Sequence, residues 1–165
     1  MIKFLLVLGA VIAVCLSYPK YRAEDSTEEV DPDEGGTCSG DKCVPARGSP
    51  LFLKTGQQIE SSKIRAVMQS DGNFVIYCKH WCPCRRRAIW ATNTHNKNID
   101  TGLKIESDGN LALYETNGKK AWQSGKREKG GKFELVAQED SNLVLYVENN
   151  GKKTSLWASN TDGKC

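Results

Sequence analysis

Histidine is scarce: the 165 residues hold two, His80 and His95, and neither recurs at an equivalent position elsewhere. No serine, cysteine or histidine grouping resembles a nucleophile with its base, which argues against hydrolytic catalysis. Long apolar runs are as rare. The single one, residues 4–16, follows Lys3 and precedes small or weakly polar residues, the pattern of a signal peptide over residues 1–17. It is too short to span a bilayer comfortably, and no second run of membrane length follows, so a secreted, extracellular chain without a transmembrane segment is expected. Val14 is too bulky to precede a lipid-modified Cys15. Helical periodicity is missing too, because apolar residues recur in short alternating runs.

Seven cysteines are present. Loss of Cys15 with the signal leaves Cys38, Cys43, Cys78, Cys82, Cys84 and Cys165, an even set that fits disulfides in an oxidising compartment; sequence alone does not choose the connectivity. Charge is uneven along the chain. Residues 18–37 hold seven acidic residues against Lys20 and Arg22, whereas from Val44 onward 19 Lys and Arg face 12 Asp and Glu. The expected organisation is an acidic disordered arm or propeptide with two cysteines over residues 18–43, then one basic folded domain over 44–165.

That domain is built on a repeat. Residues 69–77 read QSDGNFVIY, residues 106–114 ESDGNLALY and residues 138–146 QEDSNLVLY, and each is followed by a turn-rich stretch and a tryptophan, Trp90, Trp122 or Trp157. Runs of Val, Ile, Leu and Tyr bounded by Asp-Gly and Asn-Gly predict strands and hairpins, with tight turns at Asn117-Gly118 and Asn150-Gly151. Three units, none able to bury its own apolar face, are expected to stack about a pseudo-threefold axis with the tryptophans inward.

Strand alternation sends Gln69, Asp71, Asn73, Val75 and Tyr77 to one face and Phe74 and Ile76 to the other. The same order of amide, carboxylate, amide, small apolar residue and phenol recurs as Gln138, Asp140, Asn142, Val144 and Tyr146. A solvated face needs polarity but not the same donors and acceptors in the same order. Asp-Gly-Asn also caps turns, yet the five-position set complements a pyranose, with its vicinal hydroxyls and apolar C–H patches.

The pattern Gln-x-Asp-x-Asn-x-Val-x-Tyr in triplicate, with Ile-Trp-Ala-x-Asn-Thr after it, resembles the bulb-type mannose-binding lectin family, also called monocot or snowdrop-type, over residues 51–162. The resemblance implies an all-β fold, the β-prism II: three four-stranded sheets with pseudo-threefold symmetry and one mannose site per sheet. It implies that Gln69 and Gln138 donate to the 3-hydroxyl. Asp71, Asn73, Asp140 and Asn142 would hold the axial 2-hydroxyl, and Tyr77 and Tyr146 reach the 4-hydroxyl. Val75 and Val144 would pack on the ring. No catalysis, cofactor or metal is called for. Mannose-containing glycans and glycoproteins are the expected partners, with microbial surface polysaccharides a further class.

The chain departs from the family in three places. The second repeat has Glu106 for Gln and Ala112 for Val, so the site of Glu106, Asp108, Asn110 and Tyr114 is expected to be the weakest or empty, since an ionised carboxylate cannot donate. The disulfide usual in plant members is missing, with Gly72 and Gly102 at its positions by alignment. The first hairpin loop is instead enlarged to Cys78-Lys79-His80-Trp81-Cys82-Pro83-Cys84-Arg85-Arg86-Arg87. There Cys78 is expected to bond Cys82 or Cys84, and the remaining thiol Cys38, Cys43 or Cys165. A zinc site of Cys78, His80, Cys82 and Cys84 is disfavoured by its irregular spacing and by secretion.

Two rival functions follow from what remains. Glu106 and Asp108 are neighbouring carboxylates, but glycosidase pairs flank a cleft rather than follow one another along a strand. A secreted Cys-rich defence or toxin-like protein on the same fold would act through the basic loop, where Trp81 and the arginines offer contact with acidic glycans or anionic surfaces. Nucleic acid is disfavoured because the basic residues are scattered and the chain is exported. Relatives in the family commonly dimerise by exchanging a C-terminal strand. Cys165 is placed to lock that end, which leaves a homodimer and a monomer both open.

Overall fold

A computed structural model describes residues 37–44, 51–79, 87–99 and 101–165. The expected signal peptide, most of the acidic arm, and His80, Trp81, Cys82 and Cys84 lie outside the described residues, as does the side chain of Cys38.

The alternating runs form strands. In chain order they are β1 (Thr37–Ser39), β2 (Lys42–Val44), β3 (Leu51–Leu53), β4 (Gln58–Glu60), β5 (Ile64–Met68), β6 (Phe74–Cys78) and β7 (Ala88–Ala91). There follow β8 (Leu103–Ile105), β9 (Leu111–Tyr114), β10 (Lys120–Gln123), β11 (Lys132–Ala137), β12 (Leu143–Asn149) and β13 (Lys152–Ala158). All pairings are antiparallel, in three sheets ordered β4-β5-β6-β7, β10-β9-β8-β3 and β1-β2-β11-β12-β13. This is the β-prism, with one repeat per sheet. The third sheet has five strands instead of four because the β1–β2 hairpin adds to β11, with Cys43 opposite Leu135. Residues 37–43, expected in the disordered arm, therefore belong to the folded unit, and Cys43 is fully buried.

The Asn150-Gly151 turn forms as expected, with both residues at positive φ, 50° and 75°. Such a two-residue turn matches the strand twist and so fixes the β12–β13 register. At Asn117-Gly118 only Gly118 is left-handed, at φ 82°.

Each motif strand carries one irregularity, and it falls at the same place. Ile76 pairs with Trp90 but Tyr77 with Ala88, Leu145 with Trp157 but Tyr146 with Ser155, and Leu113 with Trp122 but Tyr114 with Lys120. The extra residues, Ile89, Leu156 and Ala121, sit just before the tryptophans. A bulge lets two successive side chains face the same way, and in each pair both residues pack on the core. The tryptophans meet edge to face on the axis, with centroids 5.5, 5.6 and 6.0 Å apart. Around them lie the inward residues of the motif strands, Phe74, Ile76, Leu111, Leu113, Leu143 and Leu145, all fully buried.

The chain's end is tied to the first sheet. Cys78, the last residue of β6, is bonded to Cys165, with Cα atoms 5.6 Å apart. The expected pairing of Cys78 with Cys82 or Cys84 is thus corrected: the tail after β13 returns beside β6 and brings Cys165 to Cys78. Cys43 is disulfide-bonded too, to a cysteine whose side chain is not described. Among the described residues no helix is long and apolar enough to cross a membrane.

Candidate functional site

Each repeat turns sharply before its motif strand. In the first, Gly72 N donates to Gln69 O (3.1 Å) and Gln69 N to Asn73 O (2.9 Å). Gly72 sits at φ 83°, and a Cβ there would lie 2.7 Å from the Lys97 carbonyl, so the position needs both glycine's freedom and its lack of side chain. The turn sets the polar side chains side by side on the outer face. Asp71 Oδ1 accepts from Asn73 N (2.9 Å), so half of its carboxylate shapes the turn and the other half faces water. Gln69 Nε2 donates to the Tyr77 hydroxyl (2.9 Å), leaving the phenol proton to point outward.

Asn73 is divided in the same way. Its Oδ1 accepts from Thr94 N (3.2 Å) and from the Thr92 hydroxyl (3.0 Å), while its amide nitrogen has no partner among the described residues. Thr92 also accepts from Phe74 N (3.1 Å), and the Thr94 hydroxyl donates to the Gly72 carbonyl (2.7 Å). The third repeat copies this arrangement. Gln138 Nε2 donates to the Tyr146 hydroxyl (2.7 Å), Asn142 N to Asp140 Oδ1 (2.9 Å), Ser159 to Asn142 Oδ1 (2.9 Å) and Thr161 to the Ser141 carbonyl (2.7 Å). Sequence reasoning missed these buried hydroxyls. Their signal is a Ser or Thr two residues after each tryptophan: Thr92, Ser124 and Ser159.

Gln69, Asp71, Asn73 and Tyr77 thus come together on one outer face, and Gln138, Asp140, Asn142 and Tyr146 on another. The apolar member differs from expectation. Val75 is 3% exposed, Val144 4% and Ala112 0%. Each sits on a central strand flanked by neighbouring strands and by its own polar neighbours, so little apolar area is left for a ring to touch.

The middle repeat has satisfied its polar groups internally. Glu106 accepts from the Tyr114 hydroxyl, from Asn110 Nδ2 (2.5 Å) and from Lys120 Nζ (2.9 and 3.1 Å). Burial raises the Glu106 pKa, but the hydrogen bonds from Tyr114, Asn110 and Lys120 outweigh it and hold the carboxyl below its ordinary value. The Glu106 bond pushes the Tyr114 phenol up. Lys120 also rises: its burial works against the charge, but the bonds to Glu106 and Tyr114 prevail. Asn110 is fully buried, and its Oδ1 accepts from the Ser124 hydroxyl (3.1 Å) and from Gly125 N (3.0 Å). Asp108 is 3.3 Å from Arg127. The expected proximity of Glu106 to Asp108 is not what decides this site; Lys120 and Arg127 do.

Among the described residues no three His, Cys, Asp or Glu side chains gather as a metal site. Cys78, committed to Cys165, is withdrawn from the zinc set considered above. Two outer faces therefore offer a half-used carboxylate, an amide donor and a phenol, groups suited to grip neighbouring hydroxyls reversibly.

No family model matches the chain. It is 30% identical over 116 residues to the B-type lectin plumieribetin of Scorpaena plumieri, covering 65% of this chain and 87% of that one. With mannose-specific lectin 1 of Colocasia esculenta the identity is 28% over 94 residues, 57% of this chain. The matched part spans about a third of that relative's length, 32%. Among solved structures, a monocot mannose-binding lectin of Gastrodia elata superposes with a TM-score of 0.59 at 30% identity, covering 74% of this chain and 99% of that one. The mannose-specific agglutinin of snowdrop, Galanthus nivalis, superposes with a TM-score of 0.51 at 30% identity, covering 67% and 90%.

Proposed function

Because the chain belongs to the bulb-type mannose-binding lectin family, whose members are lectins and not catalysts, we propose that it is a secreted protein that binds mannose-bearing glycans through two docks. The first consists of Gln69, Asp71, Asn73 and Tyr77 over Val75, the second of Gln138, Asp140, Asn142 and Tyr146 over Val144. The middle face contributes nothing. One observation carries the reading: in these two repeats the Asn nitrogen and one Asp oxygen have no protein partner among the described residues, while in the middle repeat the same groups are bonded. Export is supported by the apolar leader and by the disulfides, which persist in oxidising compartments.

A shallow face with a nearly covered apolar floor binds one hexose weakly, so useful affinity comes from both docks engaging one surface. The test is retention of the oxidised protein on immobilised high-mannose glycoprotein and its release by free mannose. Asp71→Ala with Asp140→Ala should abolish retention while the fold persists by circular dichroism. Persistent, mannose-releasable binding by that double variant overturns the assignment of the docks. A toxin-like activity that survives the change would place function in the basic loop.

A further inference from the structure

A pocket of about 220 Å³ opens beside the first dock, lined by Glu60, Arg65, Tyr77, Cys78 and Lys79. Tyr77 belongs to both dock and pocket, so the cavity continues the dock. Register fixes its walls: Arg65 lies opposite Tyr77 on the neighbouring strand and Glu60 opposite Arg65 on the next. Directly opposed residues share a face, so all three stand on the outer side of the sheet. Lys79 Nζ is held by the Ser61 carbonyl (2.9 Å) and lies 3.4 Å from the Glu60 carboxylate. An ammonium has a third hydrogen to give. The Cys78–Cys165 bond anchors the wall between Tyr77 and Lys79.

More cations gather at this end of the sheet. Lys79 N donates to the Lys63 carbonyl (2.8 Å) and Cys78 N to the Arg87 carbonyl (3.0 Å), which brings both residues alongside. Among the described residues, the carboxylates beside them are Glu60, which pairs with Lys79, and Glu139, which is bonded to the Ser62 amide and hydroxyl. The other open dock is built differently. Opposite Tyr146 stands Glu134, a carboxylate paired with Lys42 and Lys153, where the first dock has an arginine.

We propose that this pocket is a subsite for an anionic group, a carboxylate, sulfate or phosphate, on the sugar next to a hexose held in the first dock. The proposal rests on the lectin reading above and makes the two docks unequal in what they select. A guanidinium fork suits such oxyanions, and a pocket with a covalently anchored wall needs little ordering to receive one.

The experiment uses the full chain with the third dock silenced by Asp140→Ala. Matched mannose-terminated oligosaccharides are titrated, one neutral and others carrying a sulfate, phosphate or carboxylate on the adjacent residue. At least one anionic ligand should bind about three- to tenfold tighter than the neutral parent at low salt, with the gain shrinking as salt rises. The best of the three identifies the group. Arg65→Gln with Lys79→Gln should erase the gain while neutral binding, which reports an intact fold, stays within about twofold. Equal binding of neutral and anionic ligands, or a gain that survives the double variant, overturns the subsite and leaves the lectin. Failure of the neutral parent to bind this variant while it binds the unaltered chain overturns the first dock and its subsite, and failure to bind the unaltered chain overturns the lectin reading itself.

Discussion

At position 106 the second repeat carries a carboxylate where the other two carry an amide, and Lys120 on the adjacent strand pairs with it. Their linkage to pH has a definite sign. The Glu106 carboxyl titrates lower in the fold than its ordinary 4.5, so the stabilisation is complete above that value and is lost as pH falls through the lowered one. Glu134 behaves alike, held down chiefly by the bond from Lys153. Glu106→Gln should therefore cost no more than about 1 kcal/mol at neutral pH. It should also flatten the loss of melting temperature below pH 4.5, with Glu134→Gln flattening it further. Melts recorded from neutral to acid pH check this, and an unchanged acid limb in Glu106→Gln would mean that the pair is not formed. At this scale the sequence told much: the exchange at 106 already marked the middle face as weak. It did not identify the partner, because Lys120 lies across a turn whose register is set by the bulge before Trp122.

Among the elements, the last strand of each sheet does more than close an edge. Through the residue that directly follows it, Thr92, Ser124 or Ser159, it holds the amide oxygen of the motif Asn and a backbone N–H of the motif strand. Thr92→Val keeps the shape and removes the hydroxyl, leaving Phe74 N and half of the Asn73 oxygen unmet. The expected cost is about 1–3 kcal/mol by urea unfolding, with weaker hexose binding at the first dock and none lost at the third, measured by titration in Asp140→Ala and Asp71→Ala backgrounds. Strands and hairpins were legible because alternation and Asn-Gly turns are local signals. The burial of Val75 and the hairpin contributed by residues 37–44 were not, since both depend on which strands become neighbours. The partner of Cys78 was hidden for the same reason: it lies 87 residues away in sequence.

For the molecule as a whole, the axis unites what the faces separate. Phe74 also packs edge to face on Trp90, 6.3 Å between centroids, so the tryptophan triad connects directly to the first motif strand. Trp122→Ala, in the sheet whose dock is closed, should cost about 3 kcal/mol or more. It should also change the near-ultraviolet circular dichroism of the two indoles left in the triad, Trp90 and Trp157, and lower a single cooperative transition. Separate melting of the sheets would show that the triad is not a shared core. The amide side chains of the open docks, in contrast, are held by groups of their own sheet and of the segment that follows its last strand, and the middle face has been rewired while the core around it stays filled.

The link from Cys78 to Cys165 closes residues 78–165, which carry the second and third motifs, into a ring. A protease that nicks the backbone once anywhere inside that ring opens it without releasing a fragment. The first and third docks then stay on one covalent molecule, and two-handed grip on a glycan surface outlasts the cut for as long as the surroundings stay oxidising.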